Sequence, residues 1–147
     1  MSHNILINIF IYLAKWFLGQ PLENCVTVCG KKGLNCTEAE FAANNNDVDS
    51  SDEVLALIKN LGGNTAAKSC SKKNFPAVPL FNEEDICMYS NGLKNNRSNK
   101  FDCQRVAGPP EDNKQRICYC HEPSGISISS LDKLQGKANN QPVLSTV

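Results

Sequence analysis

Eight cysteines in 147 residues constrain this chain more than any other feature. Cys25, Cys29 and Cys36 cluster near the front, Cys70, Cys87 and Cys103 are spread through the middle, and Cys118 and Cys120 flank one tyrosine near the back. An even number at this density reads as a disulfide framework. Disulfides form and persist in oxidising surroundings, so the expected compartment is the secretory pathway or the cell exterior.

The front and back pairs have matching geometry. If the segment around Cys25 and Cys29 is helical, those thiols share one helix face and lie about 6 Å apart along the axis. If Arg116 to Cys120 is a strand, Cys118 and Cys120 point to one face of it, about 6.6 Å apart. Two such pairs can staple a helix onto a strand, although spacing alone leaves open which partner Cys25 takes. Either closure spans a loop of about ninety residues, for which the chain-entropy model assigns one crosslink about 4–5 kcal/mol. That amount is comparable to the net stability of a small domain. The two bridges share a loop, so the second adds much less.

The same sulfurs could serve other chemistry. Cys118, Cys120 and His121 are potential zinc ligands, but the paired Cys-x2-Cys knuckles of structural zinc sites are missing, so no metal and no cofactor is expected. A catalytic cysteine is disfavoured by an even count that leaves no spare thiol, with His121 the only histidine near the cysteines. Fifteen basic and fifteen acidic residues give zero net charge, without the electrostatic footprint of a nucleic-acid binder.

The N-terminus carries the one strongly apolar run, Ile5 to Leu18, interrupted by Asn8 and Lys15. It is too short and too broken for a membrane span, which needs about twenty apolar residues. Residues 1–14 read as a secretory signal with an apolar stretch from Ile5 to Leu13 and Ala14 as the small residue at the cleavage site; the start of a fragment and a buried core strand are the alternatives. Residues 16–121 then form one cysteine-rich module. From Glu122 onward Ser, Gly, Asn and Gln dominate without an apolar period, so 122–147 is expected to be a disordered tail.

Within the module, Glu23 to Lys31 is expected to be helical, with Cys25, Val26 and Cys29 inward and Gly33 past its end. Thr37 and Glu40 have capping-box spacing ahead of a short helix, Glu38 to Ala43. Ser50 and Glu53 repeat that signature before a helix from Asp52 to Asn60, with an apolar stripe of Val54, Leu57, Ile58 and Leu61 and a stop at Gly62 and Gly63. After Cys70 the prolines of Phe75-Pro76-Ala77-Val78-Pro79 exclude helix. Ile86 to Tyr89 and Arg116 to Tyr119 are the best strands. The polar stretch Ser90 to Lys100 is an expected exposed loop, and Asn96-Arg97-Ser98 in it is an acceptor sequence for an N-linked glycan. Asn35-Cys36-Thr37 also matches, but oxidation of Cys36 competes with its use. The expected fold is α+β: a small disulfide-rich domain with N-terminal helices packed on a few short antiparallel strands.

The succession Trp16-x-Leu18-Gly19, Cys25-x3-Cys29, Gly33-Leu34-x-Cys36, Cys70, Phe75-Pro76-Ala77, Cys87, Cys103 and Arg116-Ile117-Cys118-x-Cys120 resembles the cysteine-rich C-terminal module of glycosyltransferase family 18. These are the Golgi alpha-1,6-mannosylglycoprotein 6-beta-N-acetylglucosaminyltransferases, and similar modules occur in secreted proteins of algae and protists. Two departures stand out: Glu23-Asn24 replaces the usual Gln-Ser before the first cysteine, and Tyr119 replaces the usual proline between the last two. The resemblance implies a nested pairing, Cys25–Cys118, Cys29–Cys120, Cys36–Cys103 and Cys70–Cys87. It also implies a Golgi-lumenal or extracellular location.

The catalytic role of that family does not carry over. Transfer from UDP-N-acetylglucosamine needs large Rossmann-like domains for which this chain has no room, and no glycine-rich nucleotide turn follows a strand. The Glu83-Glu84-Asp85 run reads as a solvated face rather than a general base. The expected function is a non-catalytic module of the secretory pathway whose partner is a glycan or a neighbouring domain of the same protein. A fragment of an active transferase and a free secreted adhesion or carbohydrate-binding protein are the alternatives. Tyr89 and Tyr119 are the tyrosines that could line a sugar site, half-buried strand positions being the plainer reading.

Overall fold

Among the described residues, three short helices begin where capping side chains take over the unpaired amides of their first turns. Asn24 accepts from the Thr27 amide at 2.8 Å and opens α1, Cys25–Gly30. Thr37 accepts from the Glu40 amide and opens α2, Glu38–Ala43. Ser50 accepts from the Glu53 amide while its hydroxyl donates to the Glu53 carboxylate at 2.9 Å, opening α3, Ser51–Asn60. Each such cap is worth about 1 kcal/mol, a large share of what so short a helix needs. A 3-10 turn, Asn45–Val48, links α2 to α3.

The computed structural model describes residues 14–92 and 101–123. Five strands form one mixed sheet: β1 Ala14–Leu18, β2 Ser71–Lys72, β3 Leu80–Phe81, β4 Cys87–Tyr89 and β5 Gln115–His121, in the order β1-β5-β3-β4-β2. The fold class is α+β and disulfide-rich, as expected, with two differences in the sheet. A strand precedes the helices, and β2 pairs with β4 in parallel while the other pairs are antiparallel. The expected signal segment reaches into this sheet, because Ala14, read as the cleavage residue, is the first residue of β1 and pairs with His121. The rest of that segment, the expected glycan acceptor Asn96 and almost all of the expected tail lie outside the described residues.

β5 organises the molecule. Its register runs Ala14 to His121 through Leu18 to Ile117 against β1, and Leu80 to Arg116 against β3. Arg116, Ile117, Cys118 and Cys120 of this strand are fully buried. The helices close over it around an aromatic cluster. Trp16 meets Phe41 edge-on at 5.5 Å and Tyr119 at 5.2 Å, and Phe41 stacks on Phe101 at 4.8 Å. The Trp16 indole donates to Asp47 at 3.0 Å, which satisfies the polar atom of a side chain only 7% exposed.

On α3, Val54 and Ile58 are buried and Leu57 and Leu61 are half-buried, so the apolar stripe faces inward. Gly62 ends the helix in a left-handed conformation, φ +81°. Gly63 admits a close approach to β1, since a Cβ there would stand 2.7 Å from Leu18 Cδ1. Val26 is the exception among the expected inward residues: it is 47% exposed. Cys25, Val28 and Cys29 are the buried face of α1, and Val26 lies about 100° around the helix from Cys25, outside that narrow stripe.

Candidate functional site

The eight cysteines are all paired. Cys25 is bridged to Cys118 and Cys29 to Cys120, with Cα separations of 5.4 and 5.3 Å. These bridges staple α1 onto β5, four residues apart on the helix and two apart on the strand, and all four cysteines are fully buried. Cys36 is bridged to Cys103 at 5.9 Å and Cys70 to Cys87 at 4.5 Å. These are the four pairs that the resemblance implies. The open question left by spacing has a simple geometric answer: Cys25 lies against Cys118, so the helix and strand pairs run side by side without crossing. With every sulfur bridged, the described residues hold no thiolate for metal or nucleophile, and no group of three His, Cys, Asp or Glu among them is arranged to hold a metal.

The other singled-out residues sit in structural roles. His121 Nε2 lies 3.1 Å from the Thr37 hydroxyl and Nδ1 2.7 Å from the Glu122 carbonyl. Asn35 exchanges backbone hydrogen bonds with His121, and the adjoining Cys36 is oxidised. Tyr119 packs edge-on against Trp16, and burial raises its phenol above the ordinary range. Glu83, Glu84 and Asp85 are exposed, as expected of a solvated run.

A buried cation is the feature that sequence reading missed. Arg116 is fully buried, and its guanidinium donates to the carbonyls of Asp102, Arg105 at 2.8 Å and Pro76 at 3.4 Å. The group also lies over the Phe41 ring, 5.6 Å from its centroid. Burial lowers its pKa to about 10, with Asp102 and Glu38 acting the other way. Arg116 thus ties β5 to the loop that carries Cys103, and its partners are backbone carbonyls that leave no signature in sequence.

An open groove of about 640 Å³ lies at the end of the sheet, beside β1 and β5. Four loop segments meet there: residues 20–21, the turn 61–64 after α3, the turn 82–84, and 112–113 just before β5. Asn82 joins two of them. This side chain is only 5% exposed; its carbonyl accepts from the Glu84 and Ile86 amides at 3.0 Å each, and its amide donates to the Asp112 carbonyl at 3.1 Å. The Ala66 amide holds the Glu83 and Glu84 carbonyls at 2.9 and 2.8 Å, and Gln115 donates to the Gly19 carbonyl at 2.7 Å. At the mouth, Lys32 lies 5.4 Å above the Phe17 ring, and Asn113 takes a left-handed conformation at φ 49°. Glu83 and Glu84 were legible as a surface run, but the groove's other walls come from distant parts of the chain, which only the fold brings together.

No protein-family model matches this chain, and no curated protein shows significant similarity to it.

Proposed function

We propose that this chain is an exported, non-catalytic module of the secretory pathway, related to the cysteine-rich C-terminal module of glycosyltransferase family 18, and that it works as a structural or binding unit. The observation that carries this reading is the complete oxidation of eight cysteines into four bridges, a state that an oxidising lumen or the cell exterior maintains. Two further observations support it. No helix among the described residues is long and apolar enough to cross a membrane. The residues at which the chain departs from the family pattern keep workable physical roles: Asn24 caps α1, as a serine there could, and Tyr119 packs on Trp16.

The test is expression of the full chain with and without passage through an oxidising compartment, followed by mapping of the bridges under non-reducing conditions and an assay with UDP-N-acetylglucosamine and a mannose-terminated acceptor. The expected result is a folded product only after oxidation, carrying the four bridges and transferring no sugar. A folded product with eight free thiols, or measurable transfer, overturns the proposal.

A further inference from the structure

We infer that the groove beside β1 and β5 binds a neutral, hydroxyl-rich ligand of the saccharide class. The inference deepens the reading of the chain as a non-catalytic module and rests on it in one respect: the ligand is held and released unchanged. The groove's volume of about 640 Å³ lies within the span of small-molecule sites, about 300–1,000 Å³. Its lining differs from the usual apolar one. Gln20, Asn64, Asn82, Asn113 and Gln115 all line it, although the Asn82 amide is spent on the turns that frame it.

Amides set the ligand chemistry. A hydroxyl both donates and accepts, and a planar amide offers an acceptor oxygen beside two donor hydrogens, so one amide can engage two neighbouring hydroxyls. A cation needs only acceptors, and an anion only donors; the amides favour neither, and Lys32 stands in the same lining as Glu83, Glu84 and Asp112. Asn64 and Asn113 make no side-chain hydrogen bond among the described residues, and Gln115 has used only its donor side, on the Gly19 carbonyl. Glu83 and Glu84 likewise have no side-chain partner among the described residues, whereas Asp112 is paired with Lys114 at 3.2 Å. These two carboxylates accept from hydroxyls and repel anionic ligands. Leu18 and Leu61 add apolar surface suited to the C–H face of a sugar ring, while the Phe17 ring lies under Lys32.

The frame is built before the ligand arrives. Asn82 fixes the 82–84 turn to the 112–113 turn, and Ala66 fixes the same turn from the other side. Little ordering entropy is therefore left for binding to supply.

The experiment uses the oxidised full chain, labelled with nitrogen-15. It is titrated separately with three neutral disaccharides (chitobiose, mannobiose and lactose), with sialyllactose, and with spermidine. The expected result is saturable amide shifts confined to residues 61–64, 82–84 and 112–115 with at least one neutral disaccharide, and weaker binding of sialyllactose than of lactose. Asn113→Gly keeps the left-handed turn and removes the amide. Glu84→Gln removes one charge from an exposed side chain. Each should weaken binding roughly fivefold, the change that one net hydrogen bond carries. Absence of saturation by every neutral sugar at tens of millimolar, roughly the weak limit of useful affinity, overturns the inference, as does saturation by spermidine alone. Either outcome leaves the exported-module reading intact. A sugar recovered cleaved or extended would instead overturn the non-catalytic reading while binding stood.

Discussion

The two ends of the disulfide network are built on different principles. At the α1–β5 clamp, two bridges lie side by side under fully buried cysteines, against Val28 and the aromatic cluster around Trp16. At the β2–β4 corner a single bridge spans 17 residues, Cys70 is 9% exposed, and β2 is exposed at both positions. The clamp adds crosslinks where a core already exists. The corner uses one crosslink at the edge of the sheet, where β2 adds no buried side chain. The lesson is that bridges in one small domain need not contribute alike: each is worth what the length of chain that it alone closes dictates.

The largest effect is expected from removing the clamp altogether. Changing Cys25, Cys29, Cys118 and Cys120 to alanine leaves Cys36–Cys103 holding the inner loop, so the clamp alone closes only the chain outside that bridge, and its loss should cost about 4 kcal/mol before any cavity is counted, most of the net stability of a small domain at 25 °C. Removing only the Cys25–Cys118 bridge leaves Cys29–Cys120 closing nearly the same loop, so a cooperative transition should survive. Trp16, the single tryptophan, reports both in urea titrations by fluorescence. If the single-bridge variant unfolds as readily as the four-cysteine variant, the redundancy of the clamp is wrong.

Next in size is Arg116→Met. Methionine fills much of the same volume but strands the carbonyls of Asp102, Arg105 and Pro76 without their donor, a loss of about 3 kcal/mol or more. The damage should fall on the 101–107 loop, and hydrogen exchange there should rise before exchange in α1. An equal rise throughout the chain would show that Arg116 serves the clamp rather than that loop.

The corner comes third. Cys70→Ala with Cys87→Ala should cost about 3 kcal/mol by the loop-closure relation, with exchange rising first at β2 and β4 while β5 stays protected. Accessibility sharpens the contrast. Mild reduction followed by alkylation should label Cys70 and Cys87 before any clamp cysteine, because attack on a disulfide requires access to it. Labelling of Cys25 or Cys118 first would reverse the distinction between the two ends.

What was legible in the sequence follows the same division. Local signals were readable: Thr37 with Glu40 and Ser50 with Glu53 mark two helix starts, and Gly62 marks an end, because caps depend on neighbours a few residues away. The matched spacings of Cys25/Cys29 and Cys118/Cys120 announced the clamp. Non-local features were not readable. β3 is two residues long and exists because β5 and β4 flank it. β1 lay at the end of an apolar run that read as a signal, with a buried core strand as an alternative. The groove is likewise a meeting of turns that are far apart in the chain, so no single stretch displays it.

The smallest expected effect lies at the entrance of the clamp. The Glu23 carboxylate accepts from the Gln20 amide at 2.8 Å and pairs with Lys31. Hydrogen bonding from Lys31, then from the Gln20 backbone, holds its pKa below the ordinary 4.5, with burial opposing. A carboxyl whose folded pKa is depressed stabilises the fold fully above its unfolded pKa and loses that contribution as pH falls through the folded value. Glu23→Gln should therefore lower stability at pH 7 by no more than about 1 kcal/mol, the worth of an exposed pair, and bring mutant and wild type together at acid pH below the folded pKa. Thermal scans from pH 7 down to acid decide it. A constant gap across that range would mean that Glu23 acts by packing, and that the clamp takes nothing from charge at its edge.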